Sequence, residues 1–158
     1  MKILPVFFLL SFSLQAQEDK KVMEPINQLF EAMKKGDSAM AHKVFHPVTK
    51  LYSVLIDKAG QPILRDAAIS GFLKAIGTPH KEIWNELIWS PKIEIDGNFA
   101  QAWVSYAFYV DKTFSHCGVD AFQLFKDSSG QWKIFHLADT RQKEGCKVPG
   151  EVREQLNK

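Results

Sequence analysis

The stretch NELIWSPKIEIDGNFAQAWVSYAFYVDK, Asn85 to Lys112, decides the fold. From Trp84 onward apolar residues recur at every second position, the period of a strand with two unlike faces. Asp96, Gly97 and Asn98 interrupt the pattern with a composition that admits positive φ, so the stretch reads as two long strands about a tight turn. Downstream, CGVDAFQLFKDSSGQWKIFHLADTR, Cys117 to Arg141, repeats the pattern as a second long hairpin turning at Asp127 to Gly130.

Upstream the period is helical. Ile26, Leu29, Phe30 and Met33 fall at i, i+3, i+4 and i+7, with Pro25 suited to a first turn and Gly36 to a stop. Asp37 has the position of an N-cap for a shorter helix ending near His46 and Pro47. KLYSVLID (50–57) and QPIL (61–64) read as a small strand pair, and Asp66 as the cap of a third helix striped by Ile69, Phe72, Leu73 and Ile76. Helices first and antiparallel strands afterwards predict an α+β domain, its helices packed on one face of a curved sheet. A sheet that wraps round helices commonly leaves a cleft at its open end.

The chain opens MKILPVFFLLSFSLQAQEDKK: one lysine, an apolar run from Ile3 to Leu14, then Gln15, Ala16 and Gln17. This is the composition of a secretory leader over 1–17, too short for a spanning helix. It holds no cysteine for lipid attachment, so a soluble periplasmic or secreted product with no membrane insertion is expected. A single domain over 18–149 and a short polar tail over 150–158 complete the organisation. The 20 Lys and Arg nearly balance the 18 Asp and Glu, with no basic cluster interleaved with aromatics, which argues against nucleic acid as a partner. No cofactor motif is evident.

The segments MKKGD (33–37), HCGVDAFQL (116–124), WKI (132–134) and DTR (139–141) carry a resemblance. With the order of three helices, a small hairpin and four long strands, the chain resembles the cone-shaped nuclear transport factor 2-like superfamily, whose members include ketosteroid isomerase-like and SnoaL-like cyclase proteins. More narrowly it resembles a secreted bacterial branch that carries the lumazine-binding label. The resemblance implies a conical fold with a central pocket and frequent homodimers. Enzymes and non-enzymatic binding proteins share that fold, so it implies no particular chemistry.

Cys117 and Cys146, the two cysteines, stand at neighbouring ends of adjacent antiparallel strands, and in an oxidising compartment they are expected to form a disulfide. A metal site using them with His116 lacks close paired-ligand spacing, and oxidation counts against a nucleophilic cysteine. Strict alternation puts His116 and Asp120 on one face of their strand. It groups Lys133, Phe135, Leu137, Asp139 and Arg141 opposite Trp132, Ile134, His136 and Ala138. Asp139 and Arg141 point the same way and can meet a ligand or pair with each other; Asp120, Trp103 and Tyr106 are further candidates for a pocket wall. Two functions are expected of such a domain. One is a non-enzymatic binding or interaction protein for a small, partly apolar molecule, homodimeric because both sheet faces are apolar. The other is a cofactor-independent isomerase, dehydratase or cyclase with Asp139 or His116 as general base.

Overall fold

The computed structural model describes residues 7–157, with side chains from Gln15 onward; of the leader expected over 1–17, residues 1–6 lie outside the described residues. Helix α1 (Phe7–Lys35) buries Val22, Ile26, Leu29, Phe30 and Met33 along one stripe. It extends well before Glu24, so Pro25 sits inside the helix rather than in its first turn. Proline there removes the bond to the Lys21 carbonyl, a loss that burial of residues on both sides of it offsets. Gly36, at φ 66°, ends the helix, and Asp37 N–H closes back on the Ala32 carbonyl at 2.9 Å. Asp37 then caps α2 (Ser38–Val44), its Oδ1 accepting from Met40 N–H at 2.9 Å.

Strand β1 (Phe45–Ile56) pairs with β2 (Pro62–Ala67), and helix α3 (Ile69–Gly77) follows. Asp66 belongs to β2 and does not cap α3; the N-cap is Ala68, with no side-chain bond. The long strands are β3 (Trp84–Asp96), β4 (Phe99–Val110), β5 (Thr113–Lys126) and β6 (Trp132–Arg141). They complete a six-stranded curved sheet in the order β2-β1-β6-β5-β4-β3, antiparallel except where β1 runs parallel to β6. The main core lies between the helices and the concave face and includes Ile76, Val104, Phe122, Leu124 and Ile134.

Two irregularities decide which side chains face that core. In β3 the register shifts between Trp89 and Lys92, where Ser90 adopts φ 50° ahead of Pro91, and Ile88 stays inward together with Ile93 and Ile95. In β6, Gln123 pairs with His136 and Leu124 with Ile134, leaving Phe135 as the extra residue. Alternation is therefore broken in mid-strand. Trp132 and Ile134 are inward with Leu137, Asp139 and Arg141, while Phe135 packs on Phe99 of the outer face. The expected grouping of Lys133 and Phe135 with Asp139 is corrected accordingly.

The expected disulfide, Cys117–Cys146, is formed, with Cα atoms 6.1 Å apart. It belongs to a second apolar cluster on the other side of the sheet, with Leu87, Ala107, Tyr109 and Val152. Residues 150–157 are thus not the polar appendage their composition suggests. They form α4 (Gly150–Arg153) and a 3-10 turn (Glu154–Asn157) that bring Val152 and Leu156 onto that cluster, with Lys112 Nζ donating to Asn157 Oδ1 at 3.1 Å.

Candidate functional site

Between α1, α3 and the concave sheet lies a cavity of about 360 Å³. Most of its wall is apolar: Leu29, Phe30 and Met33 from α1, Phe72 from α3, and Trp84 and Phe108 from the sheet. Small residues, Ala67 and Ala75, stand at its exposed edge. One end is polar, formed by Glu86 of β3, His116 and Asp120 of β5, and Asp139 and Arg141 of β6.

Sheet pairing brings these groups together. Asp120 and Asp139 are direct cross-strand partners, and Phe108 of β4 stands between its partners Glu86 and His116. Behind them Tyr106 is paired with Gly118, whose missing side chain leaves room for the phenol to cross β5. Tyr106 Oη donates to the Thr140 carbonyl at 2.8 Å and lies 3.4 Å from Asp139 Oδ2. Thr140 itself presses on Gly118, and its Oγ1 accepts from Val119 N–H at 3.0 Å. Arg141 Nε donates to Asp139 Oδ2 at 2.6 Å, with Asp139 nearly buried and the arginine half exposed. The pair is thus an ion pair that stands on the cavity wall.

The carboxyls differ in state. Burial, reinforced by the charge of Asp139, pushes Glu86 up to about 8, while Arg141 opposes the shift. Burial also raises Asp120 well above the usual carboxylate range, and the Glu86 charge adds to it. Both acids therefore keep protons well above the pH at which free carboxyls lose them, through burial and mutual repulsion. Asp120 is 3% exposed, and no fixed N–H or O–H reaches its Oδ2. Burial, then the Arg141 charge, holds His116 below its ordinary range, so the imidazole is neutral at pH 7; its Nδ1 lies 3.0 Å from Ser115 Oγ. Burial likewise raises the Tyr106 phenol, keeping it a donor.

Of the residues singled out in the sequence, Asp120, Asp139, Arg141 and His116 stand on the cavity wall and Tyr106 just behind it. Trp103 does not join them. It lies an odd number of residues from Tyr106, hence on the outer face, and is 52% exposed. Cys117 and Cys146 are engaged in the disulfide. Among the described residues no group of three His, Cys, Asp or Glu side chains could hold a metal ion. Glu86 was missed from sequence. The signal was its phase with Trp84 and Ile88, obscured because the bulge at Ser90 and Pro91 puts Ile93 and Ile95 in the opposite phase.

No protein-family model matches the chain, and no curated protein does. Solved structures do. A protein of unknown function from Shewanella baltica OS155, itself called nuclear transport factor 2-like, matches with TM-score 0.60 and 20% identity over 82% of this chain and 97% of that one. The fold is that of the nuclear transport factor 2-like proteins. A candidate ketosteroid isomerase from Shewanella frigidimarina NCIMB 400 shares this fold with TM-score 0.55 and 17% identity, over 75% of this chain and 94% of that one. The beta subunit of a candidate aromatic-ring-hydroxylating dioxygenase from Novosphingobium aromaticivorans DSM 12444 also matches, with TM-score 0.63 and 12% identity over 87% and 96%. Nuclear transport factor 2-like folds thus serve isolated proteins and subunits alike, and chemistry has to be sought in the site.

Proposed function

We propose that the protein is an exported small-molecule-binding protein whose cavity takes a compact, largely apolar ligand with one polar end turned to Glu86, Asp120 and Asp139. The observation that carries this reading is the division of the cavity: an apolar wall of the right volume for a small ligand, and polar groups converging at one end. Export is supported by the leader-like composition of 1–17 and by the disulfide. Among the described residues no helix is long and apolar enough to cross a membrane. A homodimer formed through the outer sheet face is part of the proposal, supported by the exposed Phe99, Trp103 and Phe125.

Native mass spectrometry of the unreduced protein from its own source tests the binding reading. An added mass lost on denaturation is expected, and Ala75→Trp, which places an indole at the cavity edge, should abolish it with the far-UV spectrum unchanged. Protein that never carries an added mass, and binds no member of a small-molecule panel, would remove the reading.

A second reading is favoured by one observation, the convergence of the Glu86 and Asp120 carboxyls, raised by burial, on the Asp139–Arg141 ion pair. Neighbouring carboxyls in different states can act as acid and base, so cofactor-independent proton transfer is a chemistry this site could perform. Asp139→Asn separates the two: an enzyme would lose turnover and keep its ligand, whereas a binding protein has no turnover to lose.

A further inference from the structure

We infer that the polar end of the cavity receives a cation, a primary or secondary organic ammonium carried on an apolar body. The inference rests on the binding reading above and adds the charge of the ligand's head. Three carboxyls line that end, and among the described lining residues Arg141 is the one Lys or Arg, already engaged with Asp139 at 2.6 Å. Asp120 and Glu86 are left without a cation. Asp120 is 3% exposed with Oδ2 free of any fixed donor, and burial with mutual repulsion raises both carboxyls. An ammonium offers three or two N–H donors and a full positive charge, so it can displace protons from these acids and satisfy both carboxylates.

Other head groups fit less well. A carboxylate or phosphate would meet acids whose one cation among the described lining residues is already taken. The Trp84 and Phe108 rings, packed edge to face at 6.2 Å, line the same cavity and can flank both the apolar body and the cation. The charges bearing on Glu86 are Asp139 and Arg141 of β6, with the Asp120 carboxyl of β5 beside them on the cavity wall. His116 of β5 is neutral, Tyr106 of β4 stays protonated, and α1, β1 and α3 present Leu29, Tyr52 and Phe72 to the cavity. Glu31 and Lys34 of α1 border a separate hollow that Glu86 also lines.

The test uses three probes with one body: 2-naphthylethylamine, 2-naphthylethanol and 2-naphthylacetate, titrated calorimetrically into the full-length disulfide-bonded protein in two buffers of different ionisation enthalpy. The amine is expected to bind about tenfold or more tighter than the alcohol at pH 8, and the acetate weakest. Between pH 6 and pH 8 the amine should release up to one proton and gain up to about tenfold in affinity per pH unit, while the alcohol stays flat. Glu86→Gln should flatten the amine's pH dependence and bring its preference over the alcohol below about threefold, with alcohol binding kept; Asp120→Asn gives the same test should the first variant fail to fold. An alcohol that binds as tightly as the amine, or an acetate that binds best, overturns the cation and leaves the pocket standing. If none of the three binds, the binding reading falls and the cation with it.

Discussion

A methyl group at position 118 would overlap both the Thr140 carbonyl and its hydroxyl, whereas one at position 71, on helix α3, would meet open space. Gly118→Ala is therefore expected to cost about 2 to 3 kcal/mol through a forced shift of β6, and Gly71→Ala to stabilise by about 0.5 to 1 kcal/mol. Urea midpoints of the two variants check both signs, and a neutral Gly118→Ala would show that β6 moves freely beside Tyr106. The carboxyl pair makes a second prediction. Glu86 is held up to about 8 by burial and Asp139, against an ordinary 4.5, so between those values the folded protein keeps a proton that the unfolded chain releases. Stability should fall as pH rises from about 4.5 to about 8 and then level off, the reverse of a salt-bridged carboxylate. Glu86→Gln should remove most of that slope in thermal melts; an unchanged slope would place the proton elsewhere. At this scale Asp139 and Arg141 were legible because two residues on one strand share a face. Glu86 was not, because the bulge at Ser90, four residues further on, reverses the phase of the strand's apolar residues.

At the scale of elements, period counting found the long hairpins and the helical stripes but not the points where strands change phase. Nothing in the sequence of Lys133 to Leu137 marks Phe135 as an extra residue. The register is set by the fit of Ile134 under the helices and of Phe135 against Phe99. The C-terminal segment was misjudged for a related reason: Val152 and Leu156 are isolated apolar residues among charges, and only the cluster at Tyr109 and Cys117 gives them a destination. The disulfide ties this cluster together across a sequence separation of 29. Replacing both cysteines by serine should lower stability by about 3 to 4 kcal/mol on the chain-entropy account, less where the new hydroxyls find partners. Denaturant unfolding of the double variant measures it. Because Cys117 sits one residue from His116 but on the opposite face, the cavity should keep its ligand below the unfolding transition; loss of binding in the folded variant would mean that the staple also shapes the wall.

The whole molecule is a curved sheet with one face occupied by helices and the cavity, and the other only partly covered. α4 and the 3-10 turn cover the Leu87 to Cys117 end, leaving Trp103 at 52%, Phe99 at 42% and Phe125 at 37% exposed further along. Phe99 pairs with Phe125, and Trp103, opposite Ala121, stands on the same face about 13 Å further along β4, beyond the Gln101–Gln123 pair. Single exposed apolar residues need no explanation, but three large aromatics on one uncovered sheet face have the composition of an interface centre. A two-fold dimer would set the same patch on each subunit against its copy and double the apolar surface withdrawn from water. Sedimentation velocity should accordingly give a dimer at micromolar concentration. Trp103→Glu should weaken it by about 2 kcal/mol or more, roughly thirtyfold in dissociation constant, since a charge would be buried opposite its own copy. The substitution touches neither the core nor the cavity, so the melting temperature of the monomer and its ligand binding should be preserved. A wild-type protein that stays monomeric at every concentration would overturn the dimer and leave the aromatic face to a different partner.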